Sequence, residues 1–427
     1  MEHTLTIKKV IAGGKGLGTL ADGMVAMVPG TLPGETVLVR ETRRHRGHLE
    51  ARLVRILAAS ADRVEPPCRF YGRCGGCDLQ HGAYPAQLVC KQNILRESLA
   101  RVCLELPSEY GTLASPMPFG YRSRLRLHLD RSGRFGFHEH ESNVVVPVDR
   151  CLLAVEPINR VIAALAASDW PRRLSAGISA VELIHNPADA TVTAILIPRP
   201  GQRPLHAPSL VNELRLFADA VLLPVDFPHG TAAPPVFRQD FKPRGLSYHL
   251  CWDHRCFFQV NTLQNVQLVE QILDLLLLLP PSATALDLYC GMGNFSIPLA
   301  MTGLTVTGVE QNPASIHWAH INSRAADRAA VRFFADDVEH RLRLLTTAGA
   351  RFGIILLDPP RRGVGRSADL LPLLRPSHIL SISCDPATLA RDLSLIARHG
   401  YRIIRLIPVD MFPQTHHIES IALLERI

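Results

Sequence analysis

The first 58 residues alternate apolar and polar positions in short runs broken by glycine, as in "LTIKKVIAGGKGLGTLADGMVAMVPGTLPGETVLVRE". A period of two, with no helical period, predicts strands joined by turns and hence a small β-barrel. Residues 59–256 are mixed. They hold a helix-like stretch over 84–104 and strand-like runs such as "VELIHNP" and "TVTAILIP". Frequent proline and glycine between 198 and 244 predict long loops there. From 257 onward the short apolar runs "ATALDLYC", "TVTGVE", "VRFFAD", "FGIILLDPP", "ILSISC" and "YRIIRLIPVD" are separated by helical or loop stretches. That alternation predicts a largely parallel, doubly wound α/β sheet. The run "ILDLLLLLP" is broken by Asp274 and closed by Pro280, so it reads as a buried helix too short to span a bilayer. The expected chain is multidomain: a β-barrel over 1–58, a mixed α/β unit over 59–256 and a Rossmann-like α/β domain over 257–427.

Composition narrows the partners. Of 427 residues 47% are apolar and 20% charged, which suits packed cores and argues against disorder. The N-terminus "MEHTLTIKKV" has no apolar signal segment, so a cytoplasmic protein without membrane attachment is expected. A net charge of +7 favours a nucleic-acid partner. The arginines cluster in "RETRRHRGHLEARLVR", residues 40–55, and "YRSRLRLHLDRSGR", residues 121–134. In the second, Arg122, Arg124 and Arg126 alternate with Ser123, Leu125 and Leu127. On a strand they share one face, which with Tyr121 predicts an RNA-facing strand.

"LDLYCGMGNFSIPLA" places a glycine loop between a strand and a helix. Gly291 and Gly293 would let the backbone approach a ligand. Ser296 stands where a dinucleotide-binding loop has its third glycine, and no phosphate-loop lysine follows. Glu310 ends the next strand, where its carboxylate could accept both hydroxyls of a ribose. Asp358 ends a later one and is followed by two prolines. Acidic strand ends around a glycine loop suit S-adenosylmethionine, which is cationic.

"PPCRFYGRCGGCDLQH" sets Cys68, Cys74 and Cys77 in a C-x5-C-x2-C spacing, and Cys151 of "VPVDRCLLA" is the best fourth ligand. Four thiolates suit a [4Fe–4S] cluster or structural zinc, and the spacing leaves both open. It differs from the C-x3-C-x2-C of radical enzymes. Cys90, Cys103, Cys251, Cys256 and Cys290 show no such pattern and read as buried small hydrophobes.

Cys384 ends the run "ILSIS" and precedes Asp385 and Pro386, a good N-cap and a good first helical residue. A helix N-terminus should lower the thiol pKa and raise the thiolate fraction. The sheet topology would put Cys384 at the same end as the glycine loop, Glu310 and Asp358. Glu419, in "QTHHIES" before the final apolar run, could act there as a general base.

Taken together, "FFQVN", "DLYCGMGNF", "LDPPRRG", "SCDPATLARDL" and "HHIES" make the chain resemble the RNA uracil-5-methyltransferases over nearly its whole length. The first 58 residues resemble a TRAM domain, an OB-like barrel. With the cysteine spacing added, the chain looks like the iron–sulfur branch that methylates a uridine of 23S ribosomal RNA, with transfer RNA the alternative substrate. The resemblance implies a [4Fe–4S] cluster on Cys68, Cys74, Cys77 and Cys151. It implies S-adenosylmethionine contacts from Gln259, Tyr289, Asn294, Glu310, Asp337 and Asp358. It makes Cys384 the nucleophile and Glu419 the base of a monomeric enzyme. One departure is "QTHHIES", where the family more often has a proline–histidine–threonine lead-in. Two rivals remain at this level: an RNA N-methyltransferase, which needs no thiol, and a non-enzymatic RNA-binding protein with a structural metal.

Overall fold

The period-two pattern of the N-terminus folds as it reads. In the computed structural model, which describes residues 1–107, 111–201, 218–222, 235–327 and 330–427, five strands close a barrel in the order β1-β2-β3-β5-β4. They are β1 (Glu2–Val10), β2 (Lys15–Thr19), β3 (Val25–Pro29), β4 (Thr36–Arg44) and β5 (His48–Ala58). Alternate residues Leu5, Ile7, Val37, Val39 and Leu49 fill its interior. Gly18 is required there, because a Cβ would sit 2.4 Å from Leu5 Cδ1 and 2.6 Å from the Thr6 carbonyl oxygen.

Helix α1 (Tyr84–Ala100) follows. It stops short of the stretch to 104 expected from the pattern, because Cys103 takes a left-handed φ of 55°. The central unit is a six-stranded sheet, β6 (Arg124–Leu129), β7 (Phe135–His138), β8 (Val145–Pro147), β9 (Ile178–His185), β10 (Val192–Pro198) and β11 (Ala220–Leu222). Its order is β11-β10-β9-β6-β7-β8, and it is backed by α2 (Glu156–Ala166) and α3 (Trp170–Leu174). Much of the stretch expected to form long loops, residues 202–217 and 223–234, lies outside the described residues. A hairpin, β12 (Phe237–Phe241) and β13 (Tyr248–Trp252), packs between this sheet and the C-terminal body. Phe237, Leu250 and Trp252 meet Ile184 and Ile195 on one side and Met292, Ile297 and Trp318 on the other.

The C-terminal body begins with α4 (Thr262–Leu277) and runs β14 (Thr284–Leu288), α5 (Ser296–Met301), β15 (Thr305–Glu310), α6 (Pro313–Ala325), β16 (Val331–Ala335), α7 (Val338–Thr347), β17 (Ile354–Leu357), β18 (His378–Ser383), α8 (Pro386–Ala397), β19 (Tyr401–Val409) and β20 (Glu419–Arg426). The sheet order is β16-β15-β14-β17-β18-β20-β19. The first five strands are parallel, and β20 is antiparallel to both its neighbours. Ile354 and Leu356 enter one core while Ile355 and Leu357 enter the other. A strand buried on both faces reads as an unbroken apolar run, which is why "FGIILL" shows no alternation. The strand order reverses between β14 and β17, the place where open α/β sheets bind ligands. No helix among the described residues is long and apolar enough to cross a membrane.

Helix α1 belongs to the C-terminal body by its packing. Leu95 and Leu99 enter the core under β17 and α8. Its Lys91 is fully buried with Asp410, just past β19, at 2.5 Å, and it also donates to the Phe412 carbonyl at 2.9 Å. Tyr84 donates to the other carboxylate oxygen at 2.8 Å. Breaking a buried pair strands one charge and typically costs about 3–5 kcal/mol, whereas replacing both partners with apolar residues is often neutral. Lys91→Met should therefore lower the urea midpoint steeply, and Lys91→Met with Asp410→Leu should recover much of the loss. A Lys91→Met midpoint equal to wild type would show that the pair does not hold this helix.

Candidate active site

The site grows from the glycine loop after β14. The chain turns there through left-handed residues, Tyr289 at φ 65°, Gly291 at 55° and Gly293 at 95°. At Gly293 a Cβ would lie 2.9 Å from Ile297 Cδ1, so only glycine fits. The turn is pinned by the Tyr289 and Cys290 amides, which both donate to the Val309 carbonyl at 2.8 and 3.1 Å. Ser296, at the third glycine's place, donates its hydroxyl to Asp287 at 2.5 Å. Asp287 is wholly buried on β14, and burial pushes its carboxyl up to about 7. An aspartate inside an otherwise apolar strand was the only signal in the sequence for this anchor.

Glu310 ends β15 as expected. Its carboxylate is oriented by two backbone amides, Asn312 at 2.7 Å and Gly291 at 3.3 Å. Beside it opens a cavity of about 780 Å³ at the carboxyl ends of the parallel strands. Gln259, Tyr289, Glu310, Asp337, Asp358, Cys384 and Glu419 all line it. Asn294 does not. Its carboxamide is engaged in a reciprocal pair with Asn265 at 2.9 and 3.1 Å, behind the loop. Phe257, Arg361, Phe412 and His417 also line the cavity. Arg361 and His417 sit inside "LDPPRRG" and "HHIES", so their motifs pointed to the site but their side chains were not singled out.

Cys384 and Glu419 meet through strand register. β18 and β20 pair antiparallel with Ser383 opposite Ser420. Continuing that register by one position brings Cys384, which directly follows β18, toward Glu419, the first residue of β20, and both line the cavity. Asp385 caps α8 as expected, accepting from the Thr388 amide at 2.7 Å, with proline at the first turn. The thiol is nevertheless not acidified. Burial, and after it the charge of Glu419, push Cys384 up to about 11, and Arg361 only partly opposes this. The expectation of a lowered thiol pKa is overturned because desolvation and carboxylates outweigh one helix terminus. The carboxyls themselves are displaced. Burial and the Asp358 charge hold Glu419 well above its ordinary range, and burial with Glu310 pushes Asp358 up to about 7. Burial holds His417 down near 4, so its imidazole is neutral at pH 7.

A second cavity, of about 230 Å³, lies between the cysteine loop and the central sheet. Cys68, Cys74, Cys77 and Cys151 all line it. The loop is fixed by the Gly75 amide donating to the His138 carbonyl at 2.9 Å, and a Cβ on Gly75 would press on the His140 backbone at 3.1 Å. Asn159 orients Cys151 from both sides, accepting from its amide at 2.8 Å and donating to its carbonyl at 3.0 Å. Burial, with the neighbouring thiols after it, raises Cys74 to about 11 and also raises Cys77 and Cys151. Thiols crowded this way ionise only with a compensating cation. The donor set thus fits a thiolate-bound metal centre. Of the other cysteines, Cys90, Cys256 and Cys290 are buried as expected, Cys251 is half-buried and Cys103 is exposed.

The arginine strand makes contacts within the protein. Arg124 donates to Glu182 at 2.6 Å and to the Cys256 carbonyl at 3.2 Å, and Arg126 reaches the same carboxylate at 3.4 Å. Tyr121 is 3% exposed, with its hydroxyl on the Pro413 carbonyl at 3.1 Å. Arg124 is drawn to Glu182 because β9, which carries Glu182, lies beside β6, while the Arg126 side chain stays 52% exposed. On the barrel, Arg43, Arg46, Arg52 and Arg55 are exposed.

Known proteins resemble the chain along its whole length. The family model for tRNA (Uracil-5-)-methyltransferase matches residues 238–427. The 23S rRNA (uracil(1939)-C(5))-methyltransferase RlmD of Pseudomonas putida is 34% identical over 99% of this chain and 94% of its own. The enzyme of that name from Shewanella sediminis is 34% identical over 99% and 95%. Among solved structures, Pyrococcus abyssi tRNA (uracil-54, C5)-methyltransferase with S-adenosyl-L-homocysteine shares the fold at TM-score 0.75, covering 98% of this chain and 99% of that one at 24% identity. End-to-end identity of this order, joined to a family match that spans the cavity-bearing sheet, makes the chain a member of the RNA (uracil-5-)-methyltransferase family.

Proposed function

We propose that the protein methylates carbon 5 of a specific uridine in 23S ribosomal RNA, using S-adenosylmethionine and a covalent cysteine–uracil intermediate. The observation that carries the chemistry is the register that brings Cys384 toward Glu419 in one cavity with Glu310 and Asp358. The RNA is supported by the end-to-end relatives named for 23S rRNA. S-adenosylmethionine supplies an electrophilic methyl group and a positive charge. Glu310, held by two amides, is aimed at its ribose, and Gln259, Tyr289, Asp337 and Asp358 complete its contacts. A cation among these carboxyls opposes the burial, and after it the carboxylate charge, that raise Asp358, Glu419 and Cys384.

Carbon 5 of uracil is a weak nucleophile. Addition of the Cys384 thiolate at carbon 6 would turn the ring into an enolate whose carbon 5 takes the methyl as the sulfur–methyl bond breaks and S-adenosylhomocysteine leaves. Glu419 then takes the carbon-5 proton, and elimination frees the thiol. Arg361 stabilises the thiolate by its charge. The base must leave its stack to enter the cavity, and the exposed arginines of the barrel hold the flanking RNA.

We further assign a [4Fe–4S] cluster to Cys68, Cys74, Cys77 and Cys151. Thiolate ligation from all four is the ligand set of such a cluster. A tetrahedral zinc holds each sulfur at about 2.3 Å and so needs its ligands drawn closely together. Among the described residues, the trio whose ligand atoms lie within 4.8 Å of one another is His45, His48 and Glu50, and the four thiols are spread more widely around their cavity. The proposed functional division keeps the barrel, 1–58, as the RNA-holding unit, the cluster in 59–256 and transfer in 257–427.

Glu419→Gln should add its thiol and transfer the methyl but stall before elimination. It should accumulate a denaturant-resistant protein–RNA adduct carrying label from methyl-labelled cofactor, while Cys384→Ala forms none. General-base contributions of about 100- to 10,000-fold make such a stall visible on a gel. Wild-type turnover by Glu419→Gln would remove it as the base. Mapping 5-methyluridine in ribosomal and transfer RNA with and without the gene decides the substrate.

A thiol held near 11 is protonated at neutral pH, and only the thiolate reacts. In the free protein, alkylation of Cys384 followed by peptide mass spectrometry should therefore keep rising from pH 7 to 10. A plateau below pH 8 would contradict the burial argument.

Protein purified without oxygen should be brown, and Cys74→Ser should lose the colour and the iron. Cys384→Ala should keep both. Stoichiometric zinc with negligible iron would overturn the cluster assignment.

A further inference from the structure

The segment 410–418 joins β19 to β20 and delivers His417 and Glu419 to the cavity. It is irregular, and Gln414 within it takes a left-handed φ of 70°. Such a conformation in a non-glycine residue persists only where surroundings impose it. Here the surroundings are supplied mainly by two distant parts of the chain, besides the Pro118 carbonyl, which accepts from Gln414 Nε2 at 3.3 Å. Gln87 of α1, 3% exposed, donates from Nε2 to Gln414 Oε1 at 3.0 Å and accepts from the Gln414 amide at 3.1 Å. The Gln414 carbonyl accepts from both the Asp78 and the Leu79 amides at 3.1 Å. Asp78 follows directly after Cys77, and its carboxylate holds His416 Nδ1 at 2.5 Å. Neither Gln87 nor Asp78 lines the cavity of Cys384.

We propose that Gln87 and Asp78 are positioning residues for methyl transfer: they clamp the segment 410–418 so that Glu419 and His417 stand against Cys384. The clamp is needed because Glu419 and Asp358 line the same buried cavity and repel each other when ionised. Without it, an irregular segment carrying a buried carboxyl would relax toward water. The clamp also gives the cysteine loop a role in the reaction. Whatever fixes the loop around Cys77 fixes the Asp78 and Leu79 amides, and through Gln414 it fixes the base. The inference rests on Glu419 being the base.

The test compares Gln87→Ala and Asp78→Asn with wild type, each as the full, metal-loaded chain. Amide hydrogen exchange should rise across 410–418 in both variants and stay unchanged in β14. Turnover should fall about ten- to a hundredfold, the scale of a misplaced catalytic group. The KM for S-adenosylmethionine and the iron content should hold. Both variants should accumulate methyl-labelled protein–RNA adduct, as Glu419→Gln does. Wild-type exchange across 410–418 in both variants overturns the proposal. So does a parallel loss of turnover, cofactor affinity and iron, which would mean general damage. If Glu419→Gln itself yields no adduct, the base assignment falls, and the clamp is then decided by exchange and the split between kcat and KM.

Discussion

A single antiparallel rung, Ser383 opposite Ser420, governs this molecule. In an all-parallel sheet every strand start lies at the end away from the ligand. Inserting β20 antiparallel to β18 brings one strand start to the carboxyl end, and that residue is Glu419. The same sheet edge carries Cys384 at the head of α8. Thiol and carboxyl thus come from segments 35 positions apart, with backbone pairing setting their relative placement.

Their surroundings are short of positive charge. Glu310, Asp337, Asp358 and Glu419 line the cavity, faced by Arg361 and Arg362. Burial first, and neighbouring carboxylate charge after it, raise Asp358 and Glu419, and they raise the nearby Cys384 thiol too. The helix N-terminus at Asp385 is real, yet it acts on a thiol whose desolvation works the other way. The cavity is electrostatically suited to a cationic ligand.

Polar contacts buried between units do work that the cores cannot. Lys91 with Asp410, Tyr121 with the Pro413 carbonyl, and Gln87 with Gln414 each join segments far apart in sequence. They sit where α1, the central sheet and the cysteine loop meet the strands that carry the site. Apolar packing brings these units together without fixing their relative orientation. Directional hydrogen bonds fix it.

Much of the fold was legible because local patterns carried it. The barrel follows from alternation and turns, and the α/β sheet follows from short apolar runs between helices. Gly293, Glu310, Asp358 and Cys384 each lie at a strand end or in a turn, where neighbouring residues define the backbone. The sequence by itself therefore determined the elements, the family motifs and part of the cavity lining, Glu310, Asp358 and Cys384 among it. It could not determine what faces what. That Arg124 pairs with Glu182 depends on β9 lying beside β6. That the Asn294 carboxamide pairs with Asn265 depends on α4 standing beside the glycine loop. Cys384 looked acidic until burial and Glu419 were added. Charge state, pairing and desolvation depend on neighbours that arrive only through tertiary packing, so the tertiary structure alone decided them.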